Sequence, residues 1–551
     1  MSPPHPGALP TYQAATSRDP WPIIAPYIPA EDLCNTSLTS HALHRALRHL
    51  IWASPAPWFT LYDRSAAAGF ADFLRCIRLA TAETRDAVVS LDLTYRGSEL
   101  GADLPRDWLS TVIRLLPRLR RLVLDGSPHV DHQTLSALKN ASADELELLS
   151  MAACPNVTHA GFLCLLRVCP ALLYLDVSGC KGAVVVTGCQ TVNAEHGLIN
   201  LRFFRCSGSG LVDVAASSLV GSFGTRLRML DLSHNQLSDE FVEVLLNECI
   251  LPPSYISVAG PSNVLNSESP RSVLNSEDHG TRALDRLTTE HIKDGELVEI
   301  LNDLDDVHWQ EGLDTLILRG NRLTTQSLIR LLQTCRLQFL YLGSHIPLQD
   351  HPNHDVLKDR TELLASLSHY GGPILRGLEL RFDDLYGLQV APAASLKLAA
   401  FPQLRYLALT DVPLWLTESQ AKAYLGGDGI PRLLAEALAE KSADDDASGS
   451  VRLEMLLIRF AKPSTRSVFK PSVHRSYTGL TDGEALSAAA EDDFSFFDDH
   501  SVSEGDPPGG RHQLGEKPVN FRHEVGMVVE QIHRDRQHIR NCTIAVEGEL
   551  G

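Results

Sequence analysis

A six-residue pattern with apolar residues at its first, fourth and sixth positions recurs along this chain and constrains its fold more than any other feature. The segments that match this L-x-x-L-x-L pattern are residues 88–93, 119–124, 146–151, 172–177, 198–203, 227–232, 313–318, 337–342, 375–380, 404–409 and 453–458. Most of them begin 24 to 31 residues after the previous one, which is the length of one short strand and one helix. The spacing therefore predicts a repetitive α/β fold.

A small polar residue follows the last apolar position by three residues in six of the repeats. These residues are Ser127, Cys154, Cys180, Cys206, Asn235 and Asn321. Because the chain must turn at the end of each strand, we expect their side chains to hydrogen-bond backbone groups of a neighbouring coil. His345, Asp383 and Val412 occupy this position in the second half, which predicts distorted coils there.

The apolar spacing between the strands changes to three and four residues, which predicts helices over 238–249 and 324–335. This alternation resembles the leucine-rich repeat superfamily, and CPNVTHAGFLCLLRVCP (154–170) is similar to its cysteine-containing, Amn1-like subclass. The resemblance covers about residues 88–460. It implies an α/β solenoid with parallel strands on the concave face and helices on the convex face.

The same repeat bears on a possible zinc site, because Cys154, His159, Cys164, Cys169 and Cys180 lie within 35 positions. Zinc requires about four ligands that converge on one point. The cysteines at 154, 180 and 206 instead occupy matching places in successive coils, which favours a ladder over a metal centre. We expect no metal and no cofactor.

Composition suggests where the array is interrupted and which classes of partner fit it. We expect a disordered N-terminus at 1–18, a helical module at 19–59, a linker or capping helix at 60–87, the first half of the solenoid at 88–250, a flexible insert at 251–288, the second half at 289–460 with a loop at 441–450, and a mostly disordered acidic tail at 461–551. Within the tail, EDDFSFFDDH (491–500) is either plain acidic tail or a short linear motif.

The net charge of −19 disfavours nucleic acid as the main ligand, because phosphate binding requires a basic surface. No apolar stretch approaches the roughly 20 residues that span a bilayer, so we expect no membrane partner. The first residues lack the pattern of a secretory signal, so we expect a cytoplasmic or nuclear protein with reduced thiols. The nucleotide-binding, serine-hydrolase and zinc-protease motifs are absent from the sequence, so we expect no intrinsic catalysis.

The segment 19–59 resembles the F-box, a three-helix module that binds the Skp1 adaptor of cullin-RING ubiquitin ligases. The resemblance rests on a proline-led first helix, the step I-P-x-x-D-L at 28–33, the stretch S-L-T-S-x-x-L-H at 37–44 and a terminal tryptophan. It implies that Skp1 contacts Pro22, Ile24, Ile28, Leu33, Leu38, Leu43 and Trp52. The alternative interpretation is a plain cap that seals the first coil of the solenoid.

A second candidate surface follows from strand geometry, because the residue between the last two apolar positions points away from the core. These residues are Asp92, Val123, Ser150, Asp176, Arg202, Asp231, Ile317, Tyr341, Glu379, Ala408 and Leu457. Aromatic and arginine side chains concentrate in the second half, and such residues dominate binding hot spots. The predicted partner-binding residues are Arg319, Phe339, Tyr341, Glu379, Arg381, Tyr406 and Arg459. The alternative is that these are scattered surface residues.

Two functional hypotheses follow. In the first, the chain is the substrate-recognition subunit of a Skp1-cullin-F-box ubiquitin ligase, with residues 19–59 on Skp1 and the concave face on an unknown protein target. In the second, it is a non-catalytic repeat scaffold or inhibitor that binds proteins without Skp1.

Overall fold

The computed structural model describes two compact groups of residues. The described residues are 21–24, 27–28, 30–55, 59, 66–94, 106–183, 200–250, 312–343, 362–381, 398–413, 415–417, 453, 455–460, 518–520, 523, 525, 527 and 543–547. Those up to Gln338 form one compact unit, and those from Phe339 onward form another. We call them the N-terminal unit and the C-terminal unit. No helix in these ranges is long and apolar enough to cross a bilayer.

The N-terminal unit begins with a small helical module. Its helices are α1 (Trp21–Ile24), α2 (Ala30–Ser37) and α3 (His41–Ala53), followed by α4 (Ala66–Leu79) and α5 (Ala82–Asp86). The Ser40 hydroxyl accepts a 3.2 Å hydrogen bond from the Leu43 amide, which satisfies one free N–H at the start of α3. Leu33, Leu47 and Ile51 form the core of the module, because the apolar positions of α3 recur on one side.

Seven short strands and the helices between them make up the rest of this unit. The strands are β1 (Ser90–Asp92), β2 (Arg121–Val123), β3 (Leu148–Ser150), β4 (Tyr174–Asp176), β5 (Phe203–Arg205), β6 (Met229–Asp231) and β7 (Thr315–Ile317). The helices are α6 (Trp108–Leu115), α7 (His132–Ser136), α8 (His159–Val168), α9 (Asp213–Phe223), α10 (Asp239–Glu248) and α11 (Thr325–Thr334). Each strand pairs in parallel with the next one along the chain. The predicted helices at 238–249 and 324–335 are confirmed by α10 and α11.

The C-terminal unit contains a five-stranded parallel sheet. Its strands, in spatial order, are β8 (Phe339–Gly343), β9 (Gly377–Arg381), β10 (Tyr406–Val412), β12 (Met455–Phe460) and β14 (Thr543–Glu547). Strands β11 (Trp415–Thr417) and β13 (Pro518–Asn520) form a separate antiparallel pair. The α/β leucine-rich repeat fold that the sequence predicts is confirmed in both units, each of which stacks successive parallel strands.

The middle apolar residue of each coil packs in one continuous row inside the N-terminal unit. This row consists of Leu91, Leu122, Leu149, Leu175, Phe204, Leu230 and Leu316, all of them fully buried. Burying each such side chain stabilises the fold by roughly 1.5–3 kcal/mol. Because the apolar side chains of each coil pack against those of the next coil, a single truncation such as Leu230→Ala should lower the free energy of unfolding by about 2–5 kcal/mol.

One predicted repeat is out of register. The sequence places the fifth coil at 198–203, but Phe204 pairs with Leu175 and Arg205 pairs with Asp176, so the coil spans 201–206. The residue that points away from the core is therefore Arg205, and Arg202 was the wrong choice. Cys206 is correspondingly an apolar inward residue. The error arose because Leu198 and Leu201 can both start the pattern.

A ladder of side chains closes the turns after β3 to β7, as the sequence predicts, whereas the predicted Ser127 after β2 accepts from the His129 amide at 3.4 Å within its own turn. In each turn of the ladder the side chain donates to the carbonyl oxygen of the last inward residue of the preceding coil. The pairs are Cys154 to Leu124 (3.1 Å), Cys180 to Met151 (2.9 Å), Ser209 to Val177 (3.1 Å), Asn235 to Cys206 (2.8 Å) and Asn321 to Leu232 (2.9 Å). The thiols of Cys154 and Cys180 thus serve as hydrogen-bond donors within the ladder, and Ser209 takes the place predicted for Cys206.

Two strands lie in the segment 461–551, for which composition predicts mostly disorder. β13 and β14 both fall there, and β14 pairs in parallel with β12 over five residues, from Thr543 opposite Met455 to Glu547 opposite Arg459. The predicted N-terminal tail at 1–18, the insert at 251–288, the loop at 441–450 and the motif at 491–500 lie outside the described residues.

Candidate protein-interaction surfaces

The predicted adaptor-binding residues divide into a buried set and an exposed set. Leu33 lies in the core of the module, and Ile28, Leu43 and Trp52 pack half-buried against that core. Their first role is therefore to hold the three helices together. Pro22 lies in α1, but its side chain is outside the described part of the structure.

The exposed set consists of large apolar side chains on the module. Leu38 is 81% exposed in the turn between α2 and α3, and Ile24 is 44% exposed at the end of α1. Tyr27, which is not among the predicted adaptor contacts, is 84% exposed. These three large apolar side chains lie within fifteen residues of chain, and exposed apolar side chains mark a binding site where they form one patch.

A different group of residues seals the first coil of the repeat array. Phe70 of α4 contacts Phe59 (ring centroids 5.8 Å apart), Phe73 (6.3 Å) and Trp108 of α6 (6.0 Å). All four rings are buried. The end of α3 is also tied to the chain just before β1, because the Val89 amide donates to the Ala53 carbonyl at 3.1 Å. Capping thus falls mainly to α4 and the end of α3, so it does not account for the exposed residues of α1 and the α2–α3 turn.

The residues between the last two apolar positions of each coil, which the sequence predicts to point away from the core, are more buried than expected. Val123, Ser150, Asp176, Asp231 and Ile317 are all buried. Adjacent parallel strands lie about 4.8 Å apart, so side chains in one row pack against each other and exclude solvent. In this part of the chain the row therefore acts largely as an internal contact between coils.

Arginine side chains hold the carboxylates of this face. Arg205 reaches Asp231 at 3.2 Å and Asp176 at 3.5 Å. Burial lowers the pKa of its guanidinium, but Tyr174 and these two acids raise it, and the net direction is upward. Arg121 lies 3.6 Å from Asp92 and donates to the Ser90 hydroxyl at 3.1 Å. These ion pairs were not predicted, because they depend on which coils become neighbours.

Asp125 lies on the same face, within the turn that follows β2. Its carboxylate accepts hydrogen bonds from the Ser150 hydroxyl at 2.6 Å and the Ala152 amide at 2.8 Å. Burial raises the pKa of Asp125, and the nearby charges of Asp176 and Asp92 raise it further, while the two hydrogen bonds lower it. The net direction is upward, because burial and the two nearby acids outweigh the two hydrogen bonds.

An aspartate two residues before a serine or threonine is a sequence signal for the turn after a strand, and the predictions above do not use it. Asp231 accepts from the amide and hydroxyl of Ser233 at 3.0 and 2.6 Å, and Asp92 accepts from those of Thr94 at 2.9 and 2.6 Å. Each carboxylate thereby shapes the turn after its own strand. These aspartates are consequently engaged within the fold.

The predicted partner-binding residues of the C-terminal unit include an aromatic cluster. The Tyr341 ring lies 6.5 Å from Phe339 and 6.0 Å from Tyr406. Gly377 makes this packing possible, because a Cβ atom there would lie 2.4 Å from the Phe339 ring. The structure therefore brings three of the predicted aromatic residues together.

The remaining predicted residues differ in accessibility. Phe339, Tyr341 and Glu379 are buried, whereas Tyr406 and Arg459 are half-buried. Arg381 is in β9, but its side chain is outside the described part, and the half-buried Arg319 belongs to the N-terminal unit. Only Tyr406, Arg459 and Arg319 are thus partly accessible among the side chains described, and the partner-binding role of the set stays a prediction.

Comparison with known proteins found remote similarity to two solved structures. No protein-family model matches it. It is similar to the crystal structure of the Rad7 and Elc1 complex in yeast, with 15% sequence identity and a TM-score of 0.37, over 78% of this chain and 93% of that chain. It is also similar to the crystal structure of a TLR13–ssRNA13 complex, with 14% identity and a TM-score of 0.22, over 70% of this chain and 56% of that chain.

Proposed function

We propose that this chain is the substrate-recognition subunit of a Skp1-cullin-F-box ubiquitin ligase. Residues 19–59 bind a Skp1-like adaptor, and the repeat array binds a protein target. Holding a target beside the charged conjugating enzyme raises its effective concentration, so transfer requires no catalytic group from this chain. The proposal implies work in the cytoplasm or the nucleus.

One observation carries the proposal. The module has its own core of Leu33, Leu47 and Ile51, yet it leaves Leu38 and Tyr27 almost fully exposed. A plain cap would use its apolar residues to cover the first coil. That task is performed mainly by the aromatic rings around Phe70, so the exposed pair is available to a separate protein.

The target-binding part of the proposal rests on the strand face of the C-terminal unit. Tyr406 and Arg459 are partly accessible there, beside the buried rings of Tyr341 and Phe339. Aromatic and arginine side chains of this kind favour a target segment that carries apolar and acidic residues.

Adaptor binding is tested by co-precipitation of the full chain with purified Skp1. We expect the wild type to retain Skp1 and Leu38→Asp to lose it, because a carboxylate would have to be desolvated in the apolar contact. Leu33→Asp is unsuitable as a test since it would disrupt the core of the module. Circular dichroism should show that Leu38→Asp leaves the fold intact.

Leu79→Asp is the matched control. Leu79 is 86% exposed at the end of α4, so the same substitution there changes exposed apolar area by a similar amount outside the module. It should leave Skp1 binding unchanged. If the wild type fails to retain Skp1, the ligase role is wrong and the repeat scaffold that acts without Skp1 takes its place.

A further inference from the structure

The outward side of α3 carries a row of basic and imidazole side chains. The row consists of His41, His44, Arg45, Arg48 and His49, and we call it the basic stripe. Spacings of three and four residues place these side chains on one side of the helix. Arg48 is half-buried and the other four are exposed, whereas Leu47 and Ile51 on the adjoining side of the helix are buried.

The basic stripe contrasts in charge with the rest of the chain. Residues 33–62 contain no Asp or Glu, although the chain as a whole carries a net charge of −19. Asp32, at the edge of this range, is exposed on α2. The surface of α3 is therefore a local site where a negative segment would meet donors and positive charge, with no acidic side chain on the helix itself.

One carboxylate of the chain is already held by this stripe. Glu83 of α5 forms an ion pair with Arg48 at 2.5 Å. That hydrogen bond and the charge of Arg48 lower the pKa of Glu83, and the charge of Arg45 lowers it further. The geometry thus shows that Arg48 can bind a carboxylate while the stripe positions on either side of it stay exposed.

We infer that the basic stripe is a docking surface for an acidic segment of a protein partner, which under the function proposed above is the adaptor. Leu38 lies just before α3 and is exposed, so it supplies an apolar contact next to the charges. The partner segment that fits this surface carries Asp or Glu residues beside an apolar side chain. The inference goes beyond the apolar contacts that the F-box resemblance implies.

The test uses the full chain and a fluorescein-labelled glutamate decapeptide, with binding followed by fluorescence anisotropy. At an ionic strength of about 0.1 M, salt screens the repulsion between the peptide and acidic side chains of the protein that lie more than about 10 Å away. The stripe variant carries His41→Gln, His44→Gln, Arg45→Gln and His49→Gln, which keeps Arg48 and its ion pair. We expect this variant to bind the peptide about tenfold more weakly than the wild type does, and added salt to weaken wild-type binding.

The matched control carries Arg75→Gln and Arg78→Gln on α4, where both side chains are exposed. It removes more formal charge from the same unit and should leave peptide binding unchanged. Equal binding by the stripe variant and the wild type, or an equal loss in the control, would overturn the inference. The outcome is separate from the adaptor test, because Skp1 binding that is lost in Leu38→Asp but retained in the stripe variant would keep the ligase role and reject the stripe.

Discussion

The two units form parallel sheets with different strand lengths, and the difference identifies what ends a strand in this protein. Strands β1 to β7 contain three residues each, whereas the parallel strands of the C-terminal unit contain five to seven. After β3 to β7 a cysteine, serine or asparagine side chain bonds a carbonyl of the preceding coil at the turn. We conclude that this ladder stops these five strands, whereas β1 and β2 end at turns in which Asp92 and Ser127 accept from the Thr94 and His129 amides.

Val412 shows what happens where the ladder residue is missing. It occupies the position that Asn235 and Asn321 hold in their coils, but β10 continues through it. Val412 pairs with Phe460 after a register shift that begins at Leu409. An apolar side chain cannot bond a free carbonyl, so the backbone satisfies its groups by pairing with the next strand.

The largest loss of stability should come from removing the charge of Arg205, which pairs with carboxylates of the two neighbouring coils. Arg205→Met leaves Asp176 and Asp231 buried without their cation, so we expect a loss of about 3–5 kcal/mol in the free energy of unfolding. Urea denaturation provides the measurement. Arg330→Met, which breaks the exposed pair with Glu243, is the control and should cost below about 1 kcal/mol. Equal losses would mean that burial of the ion pair is unimportant.

A somewhat smaller effect is expected from the ladder itself. Asn235→Ala removes donors to the carbonyls of Cys206 and Leu232 and the acceptor for the Leu211 amide, which should cost about 2–4 kcal/mol. Asn156→Ala is the control, since Asn156 is exposed and makes one bond to the Pro128 carbonyl. A cost for Asn235→Ala as small as that of the control would argue against the ladder.

Placing a ladder residue at a strand position of the C-terminal unit tests whether that side chain alone creates a turn. Val412→Asn introduces an amide at a fully buried strand position, so we expect it to destabilise the protein by about 1–3 kcal/mol. Thermal unfolding of the variant, with Val412→Thr as a nearly isosteric reference, measures the effect. Stabilisation by the asparagine would show that the residue alone creates a turn.

The smallest effect concerns the residue before each ladder position, which adopts positive φ in successive coils. Gly179 (φ 73°) and His234 (φ 55°) are two examples. His234→Gly should stabilise the protein by roughly 0.5–1 kcal/mol, because the left-handed backbone conformation at positive φ is strained for a residue with a Cβ atom. Gly179→Ala should do the opposite, since its Cβ would lie 3.3 Å from the Ala153 Cα. Differential scanning calorimetry would show shifts of opposite sign, and shifts of the same sign would contradict the argument.

The sequence predicted the parts of this molecule that are set by local spacing. The apolar period located the strands, and the polar residue after each one predicted the turn contacts of Cys154, Cys180, Asn235 and Asn321. The module at 19–59 was predicted to be helical for similar reasons. These features depend on residues that are close in sequence.

The features that the sequence did not reveal depend on which segments become neighbours. The pairing of Arg205 with Asp231 joins two coils, and β14 joins β12 across more than eighty residues of chain. The enclosure of Glu379 and Tyr341 follows from the packing of adjacent strands, which spacing alone does not report. The sequence therefore predicts which residues belong to the candidate surfaces, but it does not predict how exposed their side chains are.

Hydrogen exchange measured residue by residue tests the ladder most directly. The Leu211 amide donates to Asn235 at 3.0 Å, and the Leu237 amide donates to Asn321 at 3.2 Å. Under native conditions we expect both amides to exchange slowly in the wild type, and Asn235→Ala to accelerate exchange at Leu211 while Leu237 stays protected. Unchanged protection at Leu211 in that variant would contradict the claim that these side chains fix the turns of the repeat.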